Sequence, residues 1–445
     1  MTGRDMPVVA LAVSAVAAYT VLLWRKAIVF GVTWNWVFPY IGSVVWMDIL
    51  VAAVAAAIVF WLTLKALRLF PQNRLSAAGL LLVCGVLFLL TANSRRLFSA
   101  EEIMVNIKAE SFYDASTMLS ARDIMVHSDN LARMFPAHQH LHTNFPGKLL
   151  YYKLLALAGG GAFFAVMANL LLSCAGAALV FLSGRLLFES PRAALFASLF
   201  YLFAPQRAYF FPLLNLITPL FLLAVLLAAI MAVRRKSPLW AALYSVLVVC
   251  AALFDPVPLV FLFFATAAVW ACAIYARKAS VGDMMRFAGF GAASIAVCLL
   301  ILWIFFDYSY LRNLSAASTG NRHYFPFPRE KYWSFYFINL KTYLVDLGLP
   351  LVVALGWGAV RIARKTLPFP QVVFFAASLL SLLVLDGIAF AGAEGTRVWL
   401  FMLVPFCLCA GVFMEECDDR TAALFAALLV FQALPTIAHI GFILI

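Results

Sequence analysis

The chain has 445 residues, of which 65% are hydrophobic and 12% charged, with a formal net charge of +12. A soluble globular domain needs roughly 25% charged residues to cover its surface, so that class is excluded. Apolar runs of about 18 residues or more recur along the chain, long enough to cross about 30 Å of hydrocarbon. In lipid each run must satisfy its own backbone, so the runs predict an all-α, polytopic membrane protein with one transmembrane domain over 1–445.

In chain order, about 13 spans are predicted from 19-residue hydropathy windows. They lie near 7–24, 46–66, 76–93, 156–183, 193–211, 215–233, 238–254, 256–276, 287–306, 342–361, 370–391, 397–414 and 421–443. The first lacks a strong basic n-region and a cleavage site, so it reads as a retained helix rather than a signal peptide. Trp34, Trp36, Tyr40 and Trp46 read as an aromatic belt at the second span. The start of 156–183 has room for a short interfacial helix.

Lys and Arg set the expected sidedness. Lys65, Arg68 and Arg74, then Arg185 and Arg192, then Arg234, Arg235 and Lys236, then Arg361, Arg364 and Lys365 fill alternate loops. The opposite short loops hold only Arg25, Lys26, Arg207 and Arg397. The first set is expected inside, which makes the N-terminus cytoplasmic. Two long segments, 94–153 and 307–341, then face outward. Their basic residues suit either anionic lipid heads or a phosphate-bearing ligand. A nucleic-acid partner is disfavoured on that side. The eight cysteines are scattered, mostly in apolar runs, and predict neither a disulfide framework nor a zinc site. No Walker loop, dinucleotide fingerprint, zinc-protease pair or serine elbow is present, which disfavours ATP-driven transport and redox chemistry.

Four constellations carry chemistry. The first outer segment holds four of the six histidines and most of the outer acids. It opens with Ser99-Ala-Glu101-Glu102 and continues to Glu110-Ser-Phe-Tyr113-Asp114. Glu102, Glu110 and Asp114 are spaced for one helical face. A carboxylate there suits a general base toward an acceptor hydroxyl, and helix capping is the plainer reading. The segment closes with His140-Leu-His142-Thr-Asn-Phe-Pro146-Gly147-Lys148, where Pro-Gly breaks the chain and His140, His142 and Lys148 suit a phosphate. His-x-His has no third metal ligand at suitable spacing. The second outer segment carries Arg322-His323, Arg329, Lys331 and Trp333 among aromatics and prolines, either a sugar-phosphate platform or an interfacial anchor. Glu394-Gly-Thr-Arg397-Val-Trp399 sits at an outer junction of spans, where ionisable groups are costly and are functional candidates. A Glu394–Arg397 pair can equally stabilise a helix start, and Asp386 has the same double reading. Asp255-Pro256 marks an outer hairpin in which the aspartate is expected to cap a helix.

Together these elements resemble the GT-C superfamily, polytopic glycosyltransferases that use lipid-linked sugar donors at the non-cytoplasmic face. The Ser99-Ala-Glu101-Glu102 pair resembles the Asp-Glu element opening their first long outer loop. The stretch from His142 to Lys148 looks like the "HPPG"-type segment closing it. Glu394-x-x-Arg397-x-Trp399 is similar to a late "GE-x-x-R-x-W" element of related bacterial membrane proteins. The likeness covers most of the chain in layout and about thirty residues in motif. Departures include Glu-Glu for Asp-Glu, Phe-Pro for Pro-Pro, and two extra spans before the long loop. The Glu110-Ser-Phe-Tyr113 stretch fits a "DE-x-x-Y" variant as well.

The resemblance implies inverting transfer from a polyprenyl-phosphate sugar to a lipid or cell-envelope glycan in a bacterial inner membrane. Glu102 is the first candidate base, with Glu101, Glu110 and Asp114 as alternates. His140, His142, Lys148, Arg322, His323, Lys331 and Arg397 are candidates for the donor phosphate, with Glu394 and Trp333 beside them. Some members use a divalent cation, magnesium or manganese, and others none. The competing expectations are a flippase or transporter for a lipid-linked glycan and a glycan ligase or polymerase.

Overall fold

The computed structural model describes residues 5–32, 36–324, 331–388 and 395–443. Trp34, the 325–330 stretch with Arg329, and Glu394 lie outside the described residues.

The helices run α1 (Met6–Trp24), α2 (Trp46–Leu69), α3 (Arg74–Asn93), α4 (Ala100–Val105), α5 (Ser111–Met118), α6 (Ala121–Val126), α7 (Leu131–Met134) and α8 (Gly147–Leu157). They continue as α9 (Ala162–Phe188), α10 (Pro191–Phe203), α11 (Pro205–Phe210), α12 (Thr218–Arg235), α13 (Pro238–Phe254), α14 (Leu259–Tyr275), α15 (Val281–Phe306) and α16 (Tyr310–Tyr324). Last come α17 (Tyr332–Leu347), α18 (Leu349–Ala363), α19 (Phe369–Gly387), α20 (Gly395–Val398), α21 (Leu403–Phe413) and α22 (Asp419–His439).

Among the described residues, nine helices are long and apolar enough to cross a membrane, or ten if the bent pair α17 and α18 is one span. This is a polytopic α-helical membrane protein. Three predicted spans, 193–211, 238–254 and 256–276, fall on the shorter apolar helices α10, α13 and α14. No separate short helix forms at the start of 156–183: α8 ends at Leu157, ahead of nearly all of that segment, and α9 starts at Ala162. α15 is the extreme case of an outward-facing span: only 6% of its apolar window is buried inside the protein.

One element departs from the all-α expectation. Strands β1 (Phe30–Val32) and β2 (Trp36–Phe38) pair antiparallel, Phe30 opposite Phe38. Apart from Gly31, their residues are aromatic or β-branched, which favours a pleated ribbon. Trp46 of the predicted belt is exposed and meets the Trp24 ring edge-on at 4.9 Å.

Local chemistry explains where the helices start. Ser190 and Ser237 cap α10 and α13 by accepting from Ala193 N and Leu239 N, each with proline in the first turn. Ser280 and Asp283 form a capping box at α15, and Asp418 Oδ1 accepts from Thr421 N at 2.7 Å to start α22.

Two predicted spans are broken helices, and each break has a buried polar side chain at it. Gly348, at φ +109, and Pro350 turn α17 into α18 by 105°. Gln432 of α22 serves the freed backbone, accepting from Leu349 N at 2.8 Å and donating to Val345 O at 2.9 Å. Pro205 likewise ends α10, and Arg207 donates to Leu202 O at 2.7 Å and to Ser173 Oγ at 3.1 Å. Arg207, expected as an outer-loop cation, is fully buried for this reason. A proline removes one helical hydrogen bond, so a carbonyl left in an apolar interior needs another donor.

Contacts divide the chain into two compact units. The first comprises Met1–Ser99, Leu170–Phe211 and Trp333–Ile443; the second comprises Ala100–Asn169 and Pro212–Tyr332. The core of the first is built from α2, α10, α21 and α22, with Trp399 fully buried beside Tyr343. It also encloses Asp48, which accepts from Val45 N and pairs with Arg95 and with His439 Nε2. Asp386 is buried there too, 3.5 Å from Asn339 Nδ2. The second unit contains residues 100–153 of the first long polar segment and α16.

Candidate functional site

Glu101 and Glu102 occupy the first turn of α4 and are exposed. The helix then stops. Asn106 Oδ1 accepts from Lys108 N at 2.9 Å, and Asn106 O accepts from Glu110 N at 2.8 Å, forming a side-chain turn that redirects the chain. Glu102 therefore does not share a helical face with Glu110 and Asp114, contrary to the spacing argument. Only the latter two belong together, at the start and in the first turn of α5.

Glu110 is enclosed, at 2% exposure, and its Oε2 accepts from Leu214 N at 3.2 Å. Around it α8 supplies Tyr151 and Tyr152. Burial first, then the Glu110 charge, holds both phenols above their ordinary pKa. Asn169 closes the group: it accepts from Tyr151 Oη at 2.7 Å and donates to Pro212 O at 2.7 Å. Tyr113 packs edge-on against Tyr152 at 5.6 Å. Asp114 is half-buried and lies 3.7 Å from His138 Nε2, while His138 Nδ1 meets Ser111 O at 3.2 Å.

The His-x-His stretch folds as a 3-10 turn, Gln139–His142. His140 is half-buried and its carbonyl accepts from Asn144 Nδ2 at 2.8 Å. His142 is buried, with Nε2 3.0 Å from Phe135 O. A carbonyl partner requires the proton on Nε2. Lys148 is buried in the first turn of α8, bonded to Asn144 Oδ1 at 2.6 Å and lying over the Phe112 ring at 5.3 Å.

Gly147 explains the Pro-Gly signal physically. A Cβ there would stand 2.6 Å from Leu253 O and from Phe254 N and Cα, so the start of α8 lies directly on the C-terminal end of α13. That contact brings Lys148 toward Asp255. Asp255 does not cap the next helix as expected; Pro258 holds that position. Its Oδ1 accepts from Val257 N at 3.1 Å just past the end of α13. Burial raises the Asp255 carboxyl above its ordinary value, and the Lys148 charge and the Val257 amide act against that rise. A carboxyl raised on folding lends stability below its unfolded pKa, near 3.8, and that stability is lost as pH rises through the folded value. Thermal midpoints in detergent should therefore shift in favour of Asp255→Asn relative to wild type as pH climbs above 3.8. A midpoint difference that stays constant with pH contradicts this.

A cavity of about 610 Å³ lies within the second unit. Its lining includes Asp129, His142, Asn144, Arg312, Thr319 and His323. α16 forms one wall, and Gly320 lets that helix press against the carbonyl of His142, where a Cβ would clash. Asn313 ties the same helix to Ser128 O at 3.0 Å. Arg312 donates to Asp307 O at 2.6 Å, lies 3.0 Å from Asp307 Oδ1, and has its Nε 4.0 Å from Asp129 Oδ2.

Of the residues singled out from sequence, His142 and His323 are brought to one cavity. Arg322 is exposed on the last turn of α16. Lys331 is exposed just ahead of α17, and Trp333, at 68% exposure, is on that helix. Arg397 is half-buried on α20 in the first unit. Arg312 and Asp129 were noted in the two polar segments but given no site role. The usable signal was helical spacing, because Arg312, Ser315, Thr319 and His323 repeat at three to four residues along α16. Among the described residues, no three His, Cys, Asp or Glu side chains stand together as a metal site.

No family model matches the chain, and no curated protein sequence matches it.

Proposed function

We propose that this protein is a membrane glycosyltransferase of the GT-C kind. It moves a sugar from a polyprenyl-phosphate donor to a lipid or cell-envelope glycan at the extracytoplasmic face of a bacterial inner membrane. The observation that carries the reading is the cavity where His142 and His323 meet. They come from two different polar segments of a chain with few polar segments, and Asp129 and Arg312 line the same space. The N-terminus is cytoplasmic in this reading, with about 13 crossings if α10, α13 and α14 also span.

Transfer is inverting. The acceptor oxygen attacks the anomeric carbon, and the bond from that carbon to the donor phosphate oxygen breaks. The polyprenyl phosphate departs with the electron pair, and the acceptor proton passes to a carboxylate. Glu102 is that base: it is exposed and so reachable by an acceptor, whereas Glu110 is enclosed and committed to the Leu214 amide. Cations of the outer segments, Arg322 and Lys331 among them, offset the charge on the leaving phosphate.

The test is incubation of detergent-purified protein with a labelled polyprenyl-phosphate monosaccharide and a lipid extract. Label on a new lipid or glycan is expected. Donor recovered intact, merely moved between leaflets of reconstituted vesicles, contradicts the proposal and favours a flippase.

A further inference from the structure

His142 and His323, which line the cavity beside α16, were expected from the sequence to hold donor phosphate. Its charge balance argues otherwise. Arg312 brings one positive charge to the lining, but Asp129 Oδ2 lies 4.0 Å from its Nε and Asp307 Oδ1 3.0 Å from its Nη2. Two carboxylates stand against that one guanidinium, so Arg312 leaves no cationic surplus. Phosphate cradles depend on such a surplus, supplied by arginine and lysine in charge-assisted bonds. Lys148 does not supply it at the lining: its ammonium is buried, bonded to Asn144 Oδ1.

What the lining offers instead is mixed hydrogen-bonding capacity. Asp129 accepts, Arg312 donates, the Ser315 hydroxyl can do both, and Thr319, whose hydroxyl donates to Ser315 O at 2.9 Å, can accept. Leu131 and Leu141, with small alanines of α16, give an apolar floor. At about 610 Å³ the space falls within the ordinary range for small-molecule pockets, roughly 300–1,000 Å³.

We infer that this cavity binds an uncharged, polyhydroxylated ligand, a sugar unit of the acceptor, with Asp129 accepting from its hydroxyls and Arg312 donating to its oxygens. The inference rests on the transferase reading and deepens it, because it assigns the cavity to the acceptor rather than to the donor phosphate.

Full-length protein in detergent is examined by saturation-transfer NMR with the methyl glycosides of mannose, glucose and galactose, and with inorganic phosphate as competitor. At least one glycoside should give signal. That signal should fall at least five-fold in Asp129→Asn, which keeps the side-chain shape, and in Thr319→Trp, which fills the cavity. Equimolar phosphate should leave it unchanged. The assignment is overturned if no glycoside binds wild type, if phosphate displaces the glycoside, or if both variants bind normally with unaltered thermal midpoints. Label transfer is measured on the same preparations. Transfer without glycoside binding removes the cavity assignment alone, and glycoside binding without transfer removes the transferase reading alone.

Discussion

Replacing Glu102 with Gln should lower sugar transfer by roughly 100- to 10,000-fold, the usual contribution of a positioned general base. Glu102 is exposed in the first turn of a six-residue helix. Its neutral isostere should therefore leave expression, gel-filtration profile and thermal midpoint at wild-type values, with the loss in kcat. Glu110 provides the contrast. Glu110→Ala takes away the carboxylate that accepts from Leu214 N and that lies beside Tyr151 and Tyr152. Loss of a buried acceptor costs about 1–3 kcal/mol, so that variant should lose stability before it loses chemistry. Full activity in Glu102→Gln would remove Glu102 as the base and move the assignment to Asp114 or Asp129.

The second large effect is structural. Gly147→Ala should destabilise the protein by about 1–3 kcal/mol, as overpacking does, and Gly147→Val by more. The obstacle is the backbone of Leu253 and Phe254 at 2.6 Å, which has no rotamer to change. α8 must lift off the end of α13, separating Lys148 from Asp255. Gly289 is the control: nothing lies within 4 Å of a Cβ placed there. Gly289→Ala, in the middle of α15, should be neutral or stabilising by about 0.5–1 kcal/mol. Melting of the two variants in the same detergent separates the outcomes. Equal midpoints for Gly147→Ala and wild type would contradict the close contact.

Much of the fold was legible because hydrophobic length is a one-dimensional quantity. The runs that became α1, α2, α3, α9, α15, α19 and α22 are long and apolar, and α3, α15 and α22 open on side-chain caps at Asn73, Ser280 and Asp418. Hydropathy is blind to backbone breaks inside a continuing apolar run. The 342–361 stretch reads as one span although Gly348 and Pro350 bend it through 105°, and the repair comes from Gln432, more than eighty residues away. Pro205 and Arg207 repeat the lesson, since a lone arginine between apolar runs looks like a loop cation until its carbonyl partners are known. The aromatic run near Trp36 hides a ribbon because β-pairing depends on a partner strand.

The candidate site was legible in location more than in detail. A cluster of acids and histidines in a greasy chain marks the polar segment at once. Which acid is enclosed depends on long-range contacts: Glu110 is buried by Leu214 and by α8, and Asp255 by the approach of Gly147. Neither burial follows from local sequence. Arg312 was overshadowed by the denser cluster of Arg322, His323, Arg329 and Lys331 further along the same outer segment. Charge balance was illegible as well, because the acids that flank Arg312 come from residues 129 and 307.

In the proposed transferase the cavity opens outward and serves sugar transfer. Ser315, which lines it, is changed to Cys, and transfer is measured in sealed vesicles of each orientation after a membrane-impermeant maleimide, with wild type controlling for the native cysteines. Transfer should be blocked in right-side-out vesicles and untouched in inside-out ones. Blocking from the cytoplasmic side, or undiminished transfer with the cavity fully labelled, would contradict that proposal.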